Sequence, residues 1–215
     1  RMAVENLELA KMRNVLDDKM LQEKIDRVTS QIDRAANIVN HIRSFGRKSL
    51  DEKVPVDLIT CADHTVRLMQ EQLSLDGIQL YFQPISEKCT ALGDQVQIEQ
   101  ILINLISNAR DAIKDNSIGH GQVFLAISED NTAVQIRVSD NGGGIPKHIL
   151  GQLFDPFFTT KPAGSGTGLG LSVTQNIVTS MGGSIRAFNE NAGAVFVVTL
   201  PSCSDTHLPD VRVAS

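Results

Sequence analysis

Gly164, Gly166, Gly168 and Gly170 fall at every second position of DPFFTTKPAGSGTGLGLSV, the stretch from Asp155 to Val173. The backbone there carries no side-chain restriction and can turn bare N–H groups toward an anion. The apolar run Leu169 to Val178 behind it is compatible with a helix, whose N-terminus and positive dipole end then lie directly behind the glycines. A phosphate is the natural guest; for glycines alone, a flexible loop without a ligand is the other reading. Two familiar phosphate loops are excluded. No glycine precedes a Lys-Ser or Lys-Thr pair in the nucleotide-triphosphatase pattern, and no G-x-G-x-x-G occurs here or at Gly142 to Gly144.

The rest of the chain narrows the class. A net charge of −5, no Trp, one Tyr and no dense basic block give nucleic-acid binding little support. Cys61, Cys89 and Cys203 are odd in number, widely spaced and without a C-x-x-C pair, against both a disulfide framework and a structural zinc site, and in keeping with a reducing cytosol. No apolar run approaches the roughly 20 residues of a membrane helix. The opening RMAVENLELAK resembles neither a signal peptide nor a natural start, and reads as the interior of a longer protein.

Leu21, Ile25, Val28, Ile32, Ala35, Val39 and Ile42 step by four and three in alternation, the heptad seam of a helix packed in a coiled coil or bundle. Gly46 stops the pattern. With a shorter helical stretch from Met2 to Met12, it predicts an antiparallel hairpin that a second copy completes to a four-helix bundle. A helix pair docked on its own globular domain is the alternative.

After Lys48 the texture is mixed. The pattern predicts a helix over Val56 to Gln72 opened by Asp57, a strand at Ile78 to Phe82 ended by Pro84, and a strong helix from Asp94 to Lys114. Strands follow at Val123 to Ser128 and Ala133 to Ser139, then a glycine loop, Asn141 to Pro146, a short helix, the glycine-rich stretch and a helix to Met181. A hairpin of Ser184 to Phe188 with Ala194 to Leu200 closes the series, and Ser202 to Ser215 reads as tail or linker. Strands and helices interleave without βαβ regularity, which predicts an α+β sandwich and not a doubly wound parallel sheet.

Asn104 and Asn108 are four apart and share a helix face, where two carboxamides can offer neutral oxygens to a hydrated Mg²⁺. In SDNGGGIP, Asp140 ends an apolar strand, where a half-buried carboxylate needs donors such as an adenine amino group. An Asp-Asn turn closing a hairpin would also explain that segment alone.

In order along the chain, QILINLISNARDAI, DNGGGIP, LFDPFFTTK and GSGTGLGLSV closely resemble the N, G1, F and G2 boxes of sensor histidine kinases, in the ATPase superfamily that includes gyrase, MutL and a heat-shock chaperone. The resemblance implies dimerisation and histidine-phosphotransfer helices in residues 1–50, an ATP-binding domain in 51–201 and a tail in 202–215. The helix ending HIRSFGRKS resembles the second of the dimerisation helices. Box by box, it implies that Asn108 ligates Mg²⁺, that Asn104 supports it near the phosphates, and that Asp140 reads adenine beside the turn of Gly142, Gly144 and Ile145. Phe154, Phe157 and Phe158 would anchor one end of an ATP lid, and Lys161 would approach the terminal phosphate. Gly166, Thr167, Gly168, Leu169, Gly170 and Leu171 would cradle the phosphates, and Thr199 would lie near adenine. Asp111 stands where many sensor kinases carry lysine, a departure that N-A-R-D-A shares with the nitrogen-regulation branch; Arg110 either adds charge or faces solvent.

A glutamate that activates water in gyrase-type relatives is replaced here by Asn104, which cannot accept a proton. The sequence thus favours transfer to an imidazole over hydrolysis. The implied partners are a second copy of the chain, an upstream sensor domain and a response-regulator receiver domain, with the core in the cytoplasm whether or not the full-length protein is membrane-anchored. The resemblance also implies a phosphoaccepting histidine in an H-E/D motif. None of His41, His64, His120, His148 and His207 sits in one, so this stretch is expected to bind ATP without labelling itself, and a kinase-inactive ATP-binding regulatory module that dimerises with or controls another kinase is the alternative reading.

Overall fold

The computed structural model describes residues 21, 22, 24, 25, 28, 53–130, 132–161 and 166–203. Leu21, Gln22, Lys24, Ile25 and Val28 are helical. The rest of the heptad seam, the shorter helix before it, Gly164 and most of the tail lie outside the described residues.

The first strand, β1 (Val54–Asp57), pairs antiparallel with β3 (Thr90–Gly93), in register Val56 to Ala91. Val56, expected in a helix, therefore lies in a strand. Asp57 ends that strand in extended backbone and caps α1 (Leu58–Leu75), its carboxylate accepting from Ile59 N and Thr60 Oγ1. Leu58, Cys61, Ala62, Thr65, Met69 and Leu73 make the buried stripe of α1. The edge strand β2 (Ile78–Pro84) continues through Pro84, because a proline without an N–H is tolerated where a strand has one neighbour.

Asp94 caps α2 (Gln95–Asp115) by accepting from Gln97 N. Strands β4 (Gly121–Glu129) and β5 (Ala133–Asp140) join through Asp130, whose Oδ1 accepts from Thr132 N and Ala133 N. A 3₁₀ turn, Lys147–Gln152, precedes the glycine-rich stretch. Helix α3 (Gly170–Ser180) ends where Gly182, at φ +82°, donates to Thr179 O and Gly183 to Val178 O. The hairpin β6 (Ser184–Glu190) and β7 (Gly193–Pro201) completes the chain.

The main sheet has the order β2-β4-β5-β7-β6, with β2 parallel to β4 and every other pair antiparallel. This is the expected α+β architecture. One face of the sheet, with Leu125, Ile127, Val134, Ile136, Val198 and Leu200, shares a core with the buried stripe of α2: Ile98, Ile101, Leu102, Leu105, Ile106, Ala109 and Ile113. Each fully buried Leu or Ile there is worth about 1.5–3 kcal/mol relative to exposure. Since one stripe of α2 is committed to the core, its neighbouring stripe, with Asn104, Asn108 and Asp111, runs between the end of β5 and the start of α3.

Candidate functional site

Helix α2 touches both ends of the site. Near its middle, Asn104 Nδ2 donates to Gly170 O at 3.2 Å and Thr174 Oγ1 at 3.1 Å, while its Oδ1 accepts from Gln100 Nε2 at 3.0 Å. The carboxamide of Asn104 is thus committed to protein partners and holds the start of α3 against α2. Two turns on, a Cβ at Gly142 would lie 3.0 Å from both the carbonyl carbon and Cβ of Ala112, so the glycine loop rests directly on the helix. From Asn104 to Ala112 the helix rises roughly 12 Å at about 1.5 Å per residue.

Asn108 lies between these contacts. Its Nδ2 is buried and has no hydrogen-bond partner among the described residues. Such a group costs about 1–3 kcal/mol when it stays unpaired, so this side chain retains bonding capacity that the fold does not use. One turn further, Asp111 Oδ2 accepts from Lys161 Nζ. The neighbouring Arg110 turns the other way and, with Lys114, pairs with Asp76 at the end of α1. Arg110 therefore adds its charge to Asp76 and not to the site.

At the end of β5, Asp140 Oδ1 accepts from Gly142 N at 2.8 Å and Ala194 N at 3.2 Å. Burial pushes its carboxyl above the ordinary aspartate range, against the lowering pull of those two N–H groups. Its Oδ2 has no partner among the described residues. Gly193 makes this packing possible: a Cβ there would lie 1.5 Å from Asp140 O. The loop continues through Gly143 and Gly144 at φ +91° and +77°, conformations that glycine adopts without strain. Asn116 Nδ2 donates to Gly142 O at 2.7 Å, and the Asn189 carboxamide bonds both backbone groups of Ile145.

The opposite wall is the glycine-rich stretch. Leu153 is buried and Phe154 packs on the core, whereas Phe157 is 74% exposed. The anchoring expected of the aromatics thus falls to Leu153 and Phe154; Phe158 is half-buried and Phe157 is not an anchor. Phe157 has φ +68° and its backbone lies against Gly168, where a Cβ would come within 2.4 Å of the Phe157 carbonyl carbon. Thr167 Oγ1 accepts from Leu169 N, and no side chain caps α3. The first N–H groups of α3 are consequently a ready anion site, with Gly170 and Leu171 in its first turn.

Thr199 is not brought to Asp140. The register pairs Thr199 with Gln135, and the residue beside Asp140 is Ala194, five positions and about 16 Å away along β7. The motif order placed Thr199 in the right strand; cross-strand register, which the sequence does not display, decides which residue of that strand meets the site. Asn116, Asn189 and Gly193 were not anticipated. Their contacts with the loop are to backbone groups far along the chain, and only the position of Asn116 just past the end of α2, where it also bonds Ala112 O, offered a signal, that of a helix cap.

Among the described residues no group of three or more His, Cys, Asp and Glu could hold a metal ion, and no helix is long and apolar enough to cross a membrane. His64, outside the site, faces Glu99 at 2.9 Å.

The profile of the family described as histidine kinase-, DNA gyrase B-, and HSP90-like ATPase matches residues 93–203. The two-component sensor PprA of Pseudomonas aeruginosa is similar at 40% identity over 189 residues, 86% of this chain and 20% of PprA. The sensory histidine kinase/phosphatase NtrB of Rhizobium leguminosarum bv. phaseoli is 30% identical over 216 residues, 94% of this chain and 55% of NtrB. Among solved structures, a nucleotide-free catalytic domain of histidine kinase ThkA superposes with a TM-score of 0.63 at 31% identity, covering 70% of this chain and 98% of that domain. ThkA in complex with the response regulator TrrA gives 0.71 at 26% identity, covering 95% of this chain and 58% of that one. The chain spans about a fifth of the length of the curated relatives PprA and TmoS of Ectopseudomonas mendocina.

Proposed function

Because the chain belongs to the histidine kinase-, DNA gyrase B- and HSP90-like ATPase family, we propose that its residues 51–201 bind Mg-ATP and deliver the γ-phosphoryl group to a histidine, for relay to an aspartate of a response regulator. The observation that carries this reading is the span of α2, which meets the uncapped start of α3 at Asn104 and the Asp140 loop at Ala112. Roughly 12 Å separates the two contacts, a distance suited to a nucleotide with its phosphates at one end and its base at the other.

In this reading Asp140 Oδ2 accepts from the adenine amino group, and Gly142, Gly144 and Ile145 shape the wall beside the ring. The N–H groups of Gly168, Gly170 and Leu171 and the Lys161 ammonium face the phosphates, balancing the charge that spreads over the transferring group. Gly166 and Thr167 belong to the same lid, which closes over the nucleotide and later frees its terminal phosphate.

The donor set fits magnesium. Asn108 can turn its Oδ1 to the ion while its unpaired Nδ2 donor serves a phosphate oxygen, and the phosphates and water complete an oxygen shell of the kind Mg²⁺ prefers to an all-protein cage. When bound, the ion supplies charge neutralisation of the phosphate oxygens. Asn104 offers no base for water, and its bonds to Gly170 and Thr174 make it a support for α3. This favours transfer over hydrolysis.

The partners in this reading are a second copy, suggested by the heptad pattern within residues 1–50, a sensor domain upstream, and a receiver domain, supported by the complex of ThkA with the response regulator TrrA. The cytoplasm is the compartment we propose for this core. Calorimetric titration with ADP and ATP, with and without Mg²⁺, tests the reading beside Asn108→Ala and Asp140→Ala. Mg²⁺-dependent binding lost in both variants is expected. No binding by the unaltered chain, or steady phosphate release at gyrase-like rates, would overturn it.

A further inference from the structure

We infer that Asn189 is a positioning residue that presets the purine-side loop; the inference deepens the ATP-site reading and rests on it. Asn189 lies on β6, the edge strand of the sheet. Its Oδ1 accepts from Ile145 N at 2.7 Å and its Nδ2 donates to Ile145 O at 2.7 Å. These two bonds repeat the exchange that a paired antiparallel strand makes, so one side chain stands in for a missing neighbour of the loop.

The need for such a device is local. Gly143 and Gly144 both hold positive φ, and glycine loses more conformational freedom on ordering than any other residue. The upstream end is fixed by Asp140, by Asn116 on Gly142 O and by the Gly143 N–H to Ala192 O bond of 2.9 Å. Downstream, both backbone groups of Ile145 are satisfied by Asn189, while the Ile145 side chain is buried in the core. Without the carboxamide, a part-buried N–H and C=O lose their partners, and burial of the Ile145 side chain alone holds the downstream end of the glycine pair.

The chemistry is particular to a carboxamide. An aspartate keeps the acceptor, loses the donor and sets a charge against Ile145 O; a serine hydroxyl serves one partner strongly at a time. Asn189 Oδ1 also lies over Gly144, where a Cβ would come within 3.0 Å of it, so a side chain at Gly144 would press on the carboxamide.

The test compares ADP with inorganic tripolyphosphate, each with Mg²⁺, by calorimetry on the unaltered chain, Asn189→Ala, Asn189→Ser and Asn189→Asp, alongside amide exchange at Ile145. Asn189→Ala is expected to bind ADP about 10-fold more weakly and tripolyphosphate unchanged, with faster exchange at Ile145 and unaltered protection across α2. Asn189→Ser should fall between it and the unaltered chain, and Asn189→Asp should be no better than Asn189→Ala. Equal losses for both ligands, or unchanged ADP affinity, would overturn the positioning role while leaving the site reading intact. An unaltered chain that binds neither ligand overturns both. If Asn189→Ala does not fold, Asn189→Ser carries the ligand comparison, and rapid exchange of the Ile145 amide in the unaltered chain would overturn the inference by itself.

Discussion

Replacing Asp140 by Asn exchanges one oxygen for an amide nitrogen at almost constant volume, and separates what this position does for the ligand from what it costs the fold. Oδ1 accepts from Gly142 N and Ala194 N, bonds that the D140N oxygen can keep. Oδ2 is the acceptor left for adenine; D140N sets a second donor against the adenine amino group instead. Losing a hydrogen bond to a charged acceptor, about 1.5–3 kcal/mol, weakens ADP binding ~10- to 150-fold. Inosine diphosphate, whose O6 accepts, should lose less, and tripolyphosphate nothing. Stability runs the other way. Burial raises the Asp140 carboxyl above its ordinary range, so its ionised form is favoured more in the unfolded chain. The stabilising side of this linkage is full below the ordinary aspartate range and is lost as pH rises through the raised native value. D140N removes that loss: its urea midpoint should equal or exceed the wild-type midpoint near pH ~7.5, and the advantage should vanish toward pH ~4. Wild-type ADP affinity in D140N, equal loss for ADP and tripolyphosphate, or a lower midpoint near neutrality refutes the reasoning.

Gly193→Ala should be among the most damaging small changes in the chain, lowering stability by about 3 kcal/mol or more and abolishing ADP binding, because its methyl group meets Asp140 O at 1.5 Å; urea denaturation and calorimetry check this. Asp76→Asn should lower stability by about 1 kcal/mol near neutrality. Desolvation alone would raise the Asp76 carboxyl, but hydrogen bonds from Lys114 and Arg110 hold it below its ordinary range, so the contribution is present above the unfolded aspartate value and fades as pH falls through the native one; denaturation midpoints across acid pH report it. Asp111→Asn removes the carboxylate that pairs with Lys161 and is expected to tighten ATP binding several-fold relative to AMP, read by competitive titration; weaker Mg²⁺-dependent binding would instead assign the carboxylate to the metal.

Features that depend on local order were legible in the sequence. Asp57 and Asp94 cap helices as their positions imply, and the motif order puts Asn108 on α2, Asp140 at the end of β5 and Gly170 at the start of α3, where the structure has them. Features that depend on pairing across the fold were not. Strand β3 is four residues long and finds its partner in β1; Thr199 misses Asp140 because register sets Ala194 there; and Asn189 reads as an ordinary polar residue of an edge strand until Ile145 is brought to it. Arg110 illustrates the same limit, since nothing near it in sequence announces Asp76.

The Asp140 loop takes its constraints from Asn116, Asn189, Ala192 and Ala194, and the start of α3 takes its own from Asn104. Closing those long chain segments must precede the formation of the pocket, so the pocket belongs to the late, non-local part of folding. A nucleotide therefore cannot template its own site in a partly folded chain. It recognises the finished domain alone, and stabilises it against unfolding and proteolysis by RT ln(1 + [L]/Kd).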